Sequence, residues 1–308
     1  MDRRLSAHAL LRPDIVISFT ATALIWGATW FAIKDQLAAA PPSWSIAWRF
    51  LIAAAGMALL VVLRRQSFRL DRGGHVLALV FGLTQFVLNF NLLYRAERHL
   101  TSGLVAVIFG LLMLPNALLA RIFLGHKVTP RFIAGTLVAL AGIVLLLVHE
   151  ARLASINPTG GGVLVGIVLT ACSVLAASSA NVMQASRTAR RQPILAMLAW
   201  SLVWGALGNV LFAWASAGPP VLPADPRYIG GVLFLGIMGS VVTFPLYFHL
   251  VRELGPGRAA YNGVAVPIVA MLISTLFEAY RWSPLAACGA VLALVGMVIA
   301  LRARSPSR

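Results

Sequence analysis

The chain has 308 residues, of which 60% are hydrophobic and 11% are charged, and its mean hydropathy is +0.87. Because soluble globular proteins are about one-quarter charged, this composition excludes a soluble globular domain and predicts a domain embedded in a membrane. The formal net charge of +16 would suit a nucleic-acid-binding protein, but the basic residues are distributed as membrane topology requires.

Ten apolar segments recur along the chain, and most approach the ~20 residues with which an α-helix crosses a bilayer. They cover residues 15–33, 44–63, 74–94, 100–124, 130–148, 162–182, 194–214, 228–249, 259–277 and 284–301. Eighteen of the 25 Lys and Arg residues lie on the side of the two termini, and six lie on the other side. Since these residues collect in cytoplasmic loops, we expect a multi-pass protein of the inner (plasma) membrane with both termini in the cytoplasm and no nucleic-acid partner.

The first two segments each contain one candidate binding residue. Trp26 lies deep in the first segment, where it is suited to the wall of a cavity. Arg49 lies about two turns inside the second segment, where a charged side chain must face protein or water. Arg49 either holds a carboxylate or phosphate group of a substrate, or it is a structural peg that reaches outward or binds backbone carbonyls.

The third segment is polar in its second half. Gln85 and Asn89 are four residues apart and share one helical face, whereas Thr84, Asn91 and Tyr94 share another. One face is predicted to hydrogen-bond neighbouring helices, and the other is predicted to look into a cavity. Asn89, Asn91 and Tyr94 are therefore candidate substrate contacts, with helix packing as the alternative.

Prolines interrupt three later segments: Pro115 the fourth, Pro245 the eighth and Pro267 the ninth. Proline removes a backbone hydrogen bond and kinks a helix. Such breaks persist in a membrane where protein or a water-filled cavity satisfies the backbone. We predict that the three prolines are gating positions, with static kinks as the alternative.

The second half of the sequence repeats the first. A shift of 154 residues superposes identical residues without a gap, among them Phe90 and Phe244, Arg98 and Arg252, Gly103 and Gly257, and Pro130 and Pro284. Each half has five segments, so the second half must enter the membrane inverted, as in many secondary transporters. The predicted fold is all-α, with ten transmembrane helices in two inverted five-helix repeats. The repeats are residues 1–150 and 161–308, joined by a loop over residues 151–160.

The fifth and tenth segments are predicted to form a scaffold. Each has two glycines seven residues apart, Gly135 and Gly142 in one and Gly289 and Gly296 in the other. Seven residues are two helical turns, so each pair lies on one face, and small residues on a face let membrane helices pack closely.

Sequence features of catalysis are missing. His149 and Glu150 begin like a zinc-protease motif, but the second histidine is absent, and no glycine-rich phosphate loop occurs. None of the nine acidic residues lies in the middle of a segment, which argues against a carboxylate-based proton pump. His249, near the inner end of the eighth segment, is the candidate for ion coupling, with an ordinary interfacial histidine as the alternative. We expect neither an enzyme nor a bound cofactor or metal.

Several of these residues also point to a known family. The relevant residues are Trp26-Gly27 through Phe31, Arg49, the run from Leu93-Tyr94-Arg95-Ala96 to Ala106, Leu124-Gly125-His126 before Thr129-Pro130, and Pro267 with Glu278 through Pro284. With them the chain resembles the EamA-type members of the drug/metabolite transporter superfamily over nearly its whole length. His126 stands where the family usually has glutamate, which puts in doubt any ion pair made by that acid.

The resemblance implies ten helices in two inverted EamA repeats and a central cavity lined mainly by helices 1, 3, 4, 6, 8 and 9, with helices 5 and 10 peripheral. It also implies export of amino acids or other metabolites, the common activity of the family. We therefore predict a secondary transporter that exports small amphipathic metabolites by alternating access and contacts a small-molecule substrate and membrane lipid. The alternatives are a drug or nucleotide-sugar carrier of the same fold and a non-transporting membrane scaffold or sensor. The predicted substrate contacts are Trp26, Arg49, Asn89, Asn91, Tyr94, Tyr247, Tyr261 and Asn262.

Overall fold

The computed structural model describes residues 12–124, 129–156, 162–184, 186–254 and 262–302. Within these residues the regular structure is helical, and no strand occurs. Eight helices are long and apolar enough to cross a bilayer, while Asn262–Phe277 and Pro284–Ala300 form shorter apolar helices. All ten predicted segments therefore coincide with helices, and the number that crosses the membrane stays a prediction.

We number the helices α1 to α10 in chain order. Seven of the described helices are uninterrupted. They are α1 Pro13–Gln36, α2 Pro42–Leu63, α5 Pro130–Ile156, α6 Val163–Gln184, α7 Ile194–Ala217, α9 Asn262–Phe277 and α10 Pro284–Arg302. Three helices are composite: α3 is Arg72–Phe81, the π-helical Gly82–Asn89 and Phe90–Ala96; α4 is Ser102–Gly110 and Met113–Leu124; α8 is Pro226–Leu233, the π-helical Phe234–Val242 and Thr243–Leu254. A one-turn helix, Arg187–Arg191, lies between α6 and α7.

Helix α5 is longer than predicted. It continues to Ile156, into the stretch predicted as the connecting loop, and residues 157–161 lie outside the described residues. Residues 149–156 contain Glu, Arg, Leu and Ala, which favour helix, and the first proline comes only at Pro158.

The sequence repeat is also present in the backbone. Both α3 and α8 contain a π-helical stretch, and the two stretches overlap when the chain is shifted by 154 residues. Gly82 in the first stretch lies against the Ser201 carbonyl of α7, and its equivalent Gly236 lies against the Arg49 carbonyl of α2. A Cβ atom at either glycine would meet that backbone. The two bulges therefore bring α3 and α8 into matching close contacts with the opposite half.

Equivalent helices of the two halves pack on each other as the pairs α2 with α7, α4 with α9, and α5 with α10. In the last pair, Gly135 faces the backbone of Ala300 and Gly142 faces that of Ala293, so the helices run antiparallel. A Cβ atom at either glycine would overlap the opposite backbone. The predicted close-packing function of the glycine pairs is confirmed.

Large apolar side chains cover much of the outer surface. Leu164, Leu211 and Leu276 are 73%, 72% and 75% exposed. Contiguous apolar surface on this scale is rare on monomeric soluble proteins, and it suits contact with lipid acyl chains.

Asp71 caps the first residues of α3, and its equivalent in the repeat, Asp225, caps α8 in the same way. The Asp71 carboxylate accepts a hydrogen bond from the Gly74 backbone N–H at 2.6 Å. A hydrogen bond from Gln192 and then the Gly74 bond lower the pKa of Asp71 below its ordinary value.

We expect Asp71→Ala to lower the melting temperature of the detergent-purified protein by a few degrees at neutral pH, because an N-cap is lost. A lowered pKa means that the stabilisation is present above the ordinary aspartate pKa and disappears as pH falls through the lowered value. The difference between wild type and variant should therefore vanish in acid. Asp71→Asn, which keeps a capping oxygen, is the control; an equal loss in both variants would contradict the cap.

Candidate functional site

Arg49 lies inside the protein, with only 3% of its surface exposed. Its Nη1 donates a hydrogen bond to the Tyr94 hydroxyl at 3.3 Å, and its guanidinium carbon lies 4.5 Å from the centroid of the Phe90 ring. Its Nε atom is buried without a hydrogen-bond partner. The burial rules out the alternative in which Arg49 reaches outward. A buried guanidinium with an unused donor is suited to an anionic oxygen.

Trp26 connects Tyr247 to the Arg49 side chain by way of Gly239. The Trp26 Nε1 donates to the Gly239 carbonyl at 3.2 Å, and the Trp26 ring centroid is 5.2 Å from that of Tyr247. A Cβ atom on Gly239 would lie 3.6 Å from Nη2 of Arg49. Four predicted substrate contacts, Trp26, Arg49, Tyr94 and Tyr247, thus form one group between α1, α2, α3 and α8. We call this group the Arg49 site.

Asn89 and Asn91 do not belong to the Arg49 site. The Asn89 Oδ1 accepts a hydrogen bond from Ser173 Oγ of α6 at 2.6 Å. The Asn91 Nδ2 donates to Asn209 Oδ1 of α7 at 2.8 Å. Both amides therefore join α3 to neighbouring helices, which is the packing alternative. The π-helical turns before Asn89 change which side chains share a face, so regular helical spacing misplaced it.

Asn262 lies nearer to the end of the bundle at which α1 begins. Its Nδ2 donates to the Phe19 carbonyl of α1 at 3.4 Å, and its Oδ1 is buried without a partner. Phe19 packs in one cluster with Tyr247, so Asn262 shares the wall between α1 and α8 with the Arg49 site. Tyr261 lies outside the described residues. Arg49, Asn89 and Asn262 consequently hydrogen-bond to three different helices, α3, α6 and α1.

Two of the three predicted gating prolines are linked through a break in α4. The helix is interrupted between Gly110 and Met113, because Pro115 has no N–H for the Leu111 carbonyl, which accepts instead from the Leu114 N–H at 2.8 Å. Pro267 lies within the continuous α9, and a Cβ atom on Gly110 would lie 3.3 Å from its Cγ.

Pro245 follows the π-helical stretch of α8, which ends at Val242. A π-helical turn is a known way to accommodate a helix irregularity. Pro115 and Pro245 therefore lie at or beside irregular backbone, Pro267 packs near the break in α4 from within a continuous helix, and a gating role of the three stays a prediction.

Lys34 and Glu97 form a buried polar group at the opposite end of the bundle, where α1 ends. We call this end the Lys34 end. The Lys34 ammonium donates hydrogen bonds to the backbone carbonyls of Glu97 and, at 2.7 Å, Leu100. The Glu97 carboxyl group is 0% exposed, and neither of its oxygens has a hydrogen-bond partner.

Glu278, at the end of α9, belongs to the same group. Its Oε2 accepts hydrogen bonds from Ser274 Oγ at 2.6 Å and from the Ser102 backbone N–H at 3.2 Å. Glu278 is close enough to Glu97 for the two carboxylates to repel each other. The sequence alone places Glu97 in the loop between α3 and α4. The shortness of this loop, residues 97–101, is the one feature that could have indicated a buried Glu97 side chain.

His249 takes part in a contact between the first and eighth helices. Its Nε2 lies 3.1 Å from Asp14 Oδ2, and Arg12 donates to the same carboxylate at 2.7 Å. The side chains of His249 and Asp14 are 39% and 43% exposed. The geometry is that of an exposed ion-pair cluster, as the interfacial alternative requires, and a coupling role for His249 stays a prediction.

The EamA-like transporter family model matches this chain over residues 15–148 and 164–302. The chain is 28% identical over 256 residues to the inner membrane transporter YedA of Escherichia coli, which covers 82% of this chain and 79% of YedA. It is 22% identical over 295 residues to the protein PagO of Salmonella typhimurium, covering 95% and 94% of the two chains. A crystal structure with 22% identity has a TM-score of 0.68 and covers 95% of this chain and 99% of the other, which shows the fold.

Proposed function

This chain belongs to the EamA-like transporter family and is a multi-pass membrane transporter; from that premise we propose that it exports small amphipathic metabolites that carry an anionic group, amino acids foremost. The observation that supports this substrate class is the buried guanidinium of Arg49, whose Nε has no partner. A buried cation is costly unless it is paired. A carboxylate on the substrate would supply the missing partner.

Aromatic residues of the Arg49 site and the neighbouring Phe244 are suited to the apolar part of the substrate. The Trp26 ring of α1 contacts the rings of Tyr247 and Phe244 of α8, at centroid distances of 5.2 and 5.9 Å. Ligand sites combine apolar walls with a few placed polar groups. The rings would contact the apolar part of the substrate while Arg49 holds its carboxylate.

Alternating access would move this substrate between the two ends of the bundle. The proposed topology has ten crossings, with repeats over residues 1–150 and 161–308 and both termini in the cytoplasm of the inner membrane. In this topology the Lys34 end faces outward, and its buried polar group supports a conformation closed to the outside. Asn262 and Tyr261 would then lie near the cytoplasmic entrance, and the three prolines would bend when access changes.

Counterflow in proteoliposomes tests this function. Vesicles loaded with one unlabelled amino acid should accumulate the same radiolabelled amino acid saturably, and empty liposomes should not. The panel should include acidic, aromatic and aliphatic amino acids, a nucleotide sugar and a cationic drug. Exchange of only the nucleotide sugar or the cationic drug would contradict amino acids as the substrate class and favour the alternative carriers. No exchange of any compound would contradict the transport proposal.

A further inference from the structure

The environment of the Glu97 carboxyl group disfavours its ionised form. It is 0% exposed, and neither oxygen accepts a hydrogen bond. The hydroxyl of Ser102, also 0% exposed, has no hydrogen-bond partner either. Burial of an ionised carboxylate without hydrogen bonds is strongly unfavourable, and such a group takes up a proton instead.

The charged groups that face Glu97 come from three helices. Lys34 of α1 and Arg49 of α2 are attractive, whereas Glu278 of α9 is repulsive. Neither cation donates a hydrogen bond to the Glu97 carboxylate: Lys34 donates to backbone carbonyls and Arg49 donates to the Tyr94 hydroxyl.

The second carboxylate adds to the cost of ionising Glu97. Glu278 accepts two hydrogen bonds on Oε2, whereas its Oε1 is buried without a partner. Two carboxylates in one buried group cannot both ionise cheaply, so the charge of Glu278 adds to the cost of ionising Glu97. Burial, with the repulsion of Glu278 added to it and the attraction of Lys34 opposing it, raises the pKa of Glu97 well above its ordinary value.

We infer that Glu97, beside Glu278, is a proton-binding site, and that a proton must occupy it for the Lys34 end to close. The proton comes from the water on that side and binds a carboxylate oxygen of Glu97. When the end opens, the carboxyl group is hydrated and can release the proton. This inference rests on the proposed function, because closing the Lys34 end is one step of the transport cycle.

The direction of the pH effect follows from linkage. The buried, closed state binds the proton more tightly than the hydrated, open state. Acid therefore favours closure, and the closed state loses its advantage as pH rises through the raised pKa of Glu97. Exchange, which needs both opening and closing, should slow at alkaline pH.

The first experiment measures counterflow with equal pH on both sides of the vesicle, from about pH 6 to about pH 9. Wild type is expected to slow severalfold as pH rises through the raised pKa of Glu97, because the protonated fraction then falls with each further pH unit. Glu97→Gln mimics the protonated acid and should exchange with a flat profile. Asp35→Asn removes an exposed carboxylate at the same end and should follow wild type. A flat wild-type profile, or a wild-type slope in Glu97→Gln, overturns the inference.

The second experiment measures closure directly and needs neither the Glu97 variant nor transport. With Cys172 and Cys288 replaced by serine, the buried Ser102→Cys thiol should react with a water-soluble reagent only when the Lys34 end is open. Asp35→Cys, exposed at the same end, corrects for ionisation of the thiol. The ratio of the two labelling rates should rise severalfold from about pH 6 to about pH 9. A constant ratio overturns the inference, while absent counterflow with a rising ratio overturns only the proposed function.

Discussion

Replacing Arg49 with alanine is expected to lower counterflow about 100-fold while the protein still folds. Truncating one partner of a buried charge pair costs about 2–5 kcal/mol, and about 2.7 kcal/mol is a factor of 100. Arg49→Lys keeps the charge but loses the planar fork and the contact with the Phe90 ring, so we expect a loss of roughly tenfold. Initial rates at several substrate concentrations would show whether the loss lies in affinity.

Arg98→Ala is the matched control for Arg49→Ala, because Arg98 is an exposed arginine at the Lys34 end. It should exchange at the wild-type rate. Thermal melting of each variant in detergent separates loss of binding from loss of folding. If Arg49→Ala folds and exchanges like wild type, Arg49 holds no substrate; if Arg49→Lys and Arg49→Ala both fail to fold, Arg49 is the structural peg.

Adding a methyl group to Gly142 is expected to destabilise the protein more than any surface substitution. Its Cβ would overlap the Ala293 backbone and come within 2.5 Å of the Gly289 carbonyl oxygen, and neither is a flexible side chain that can move away. Overpacking of a core usually costs about 1–3 kcal/mol, and an overlap with backbone belongs at or above the upper limit. Gly142→Ala should therefore give little monodisperse protein and a much lower melting temperature.

Gly230→Ala provides the comparison for Gly142→Ala. No atom lies within 4 Å of an added Cβ at Gly230, and alanine is the better helix former, so this variant should be at least as stable as wild type. Equal yields and melting temperatures for the two variants would contradict the close packing of α5 on α10.

The features predicted correctly depend on the backbone and on side-chain size within one helix. Glycine pairs seven residues apart predicted the packing face of α5 and α10 because close approach of two helices requires only small residues at regular spacing. Pro115 and Pro245 predicted irregular backbone because proline lacks the N–H of a regular helix whatever its tertiary contacts are. Burial of Arg49 followed from the cost of exposing a charge to lipid.

Pairing of side chains across helices could not be predicted from the sequence. Asn89 and Asn91 were candidate substrate contacts with helix packing as the alternative, and their partners, Ser173 and Asn209, come from helices far along the chain. Glu97 was missed because its burial depends on how α1, α2 and α9 meet around a short turn. The spacing of residues within one helix contains no information about such contacts.

Equivalent helices of the two halves pack on each other, but the buried charges of Arg49 and Glu97 have no charged counterpart in the second half. Under the 154-residue shift, Arg49 falls on Val203 and Glu97 falls on Val251. The two ends of the bundle therefore differ chemically, since Lys34 and Glu97 lie at one end and Asp14 and His249 at the other. In the proposed transport cycle, acidification of one face of the bilayer would act differently on opening at the two ends.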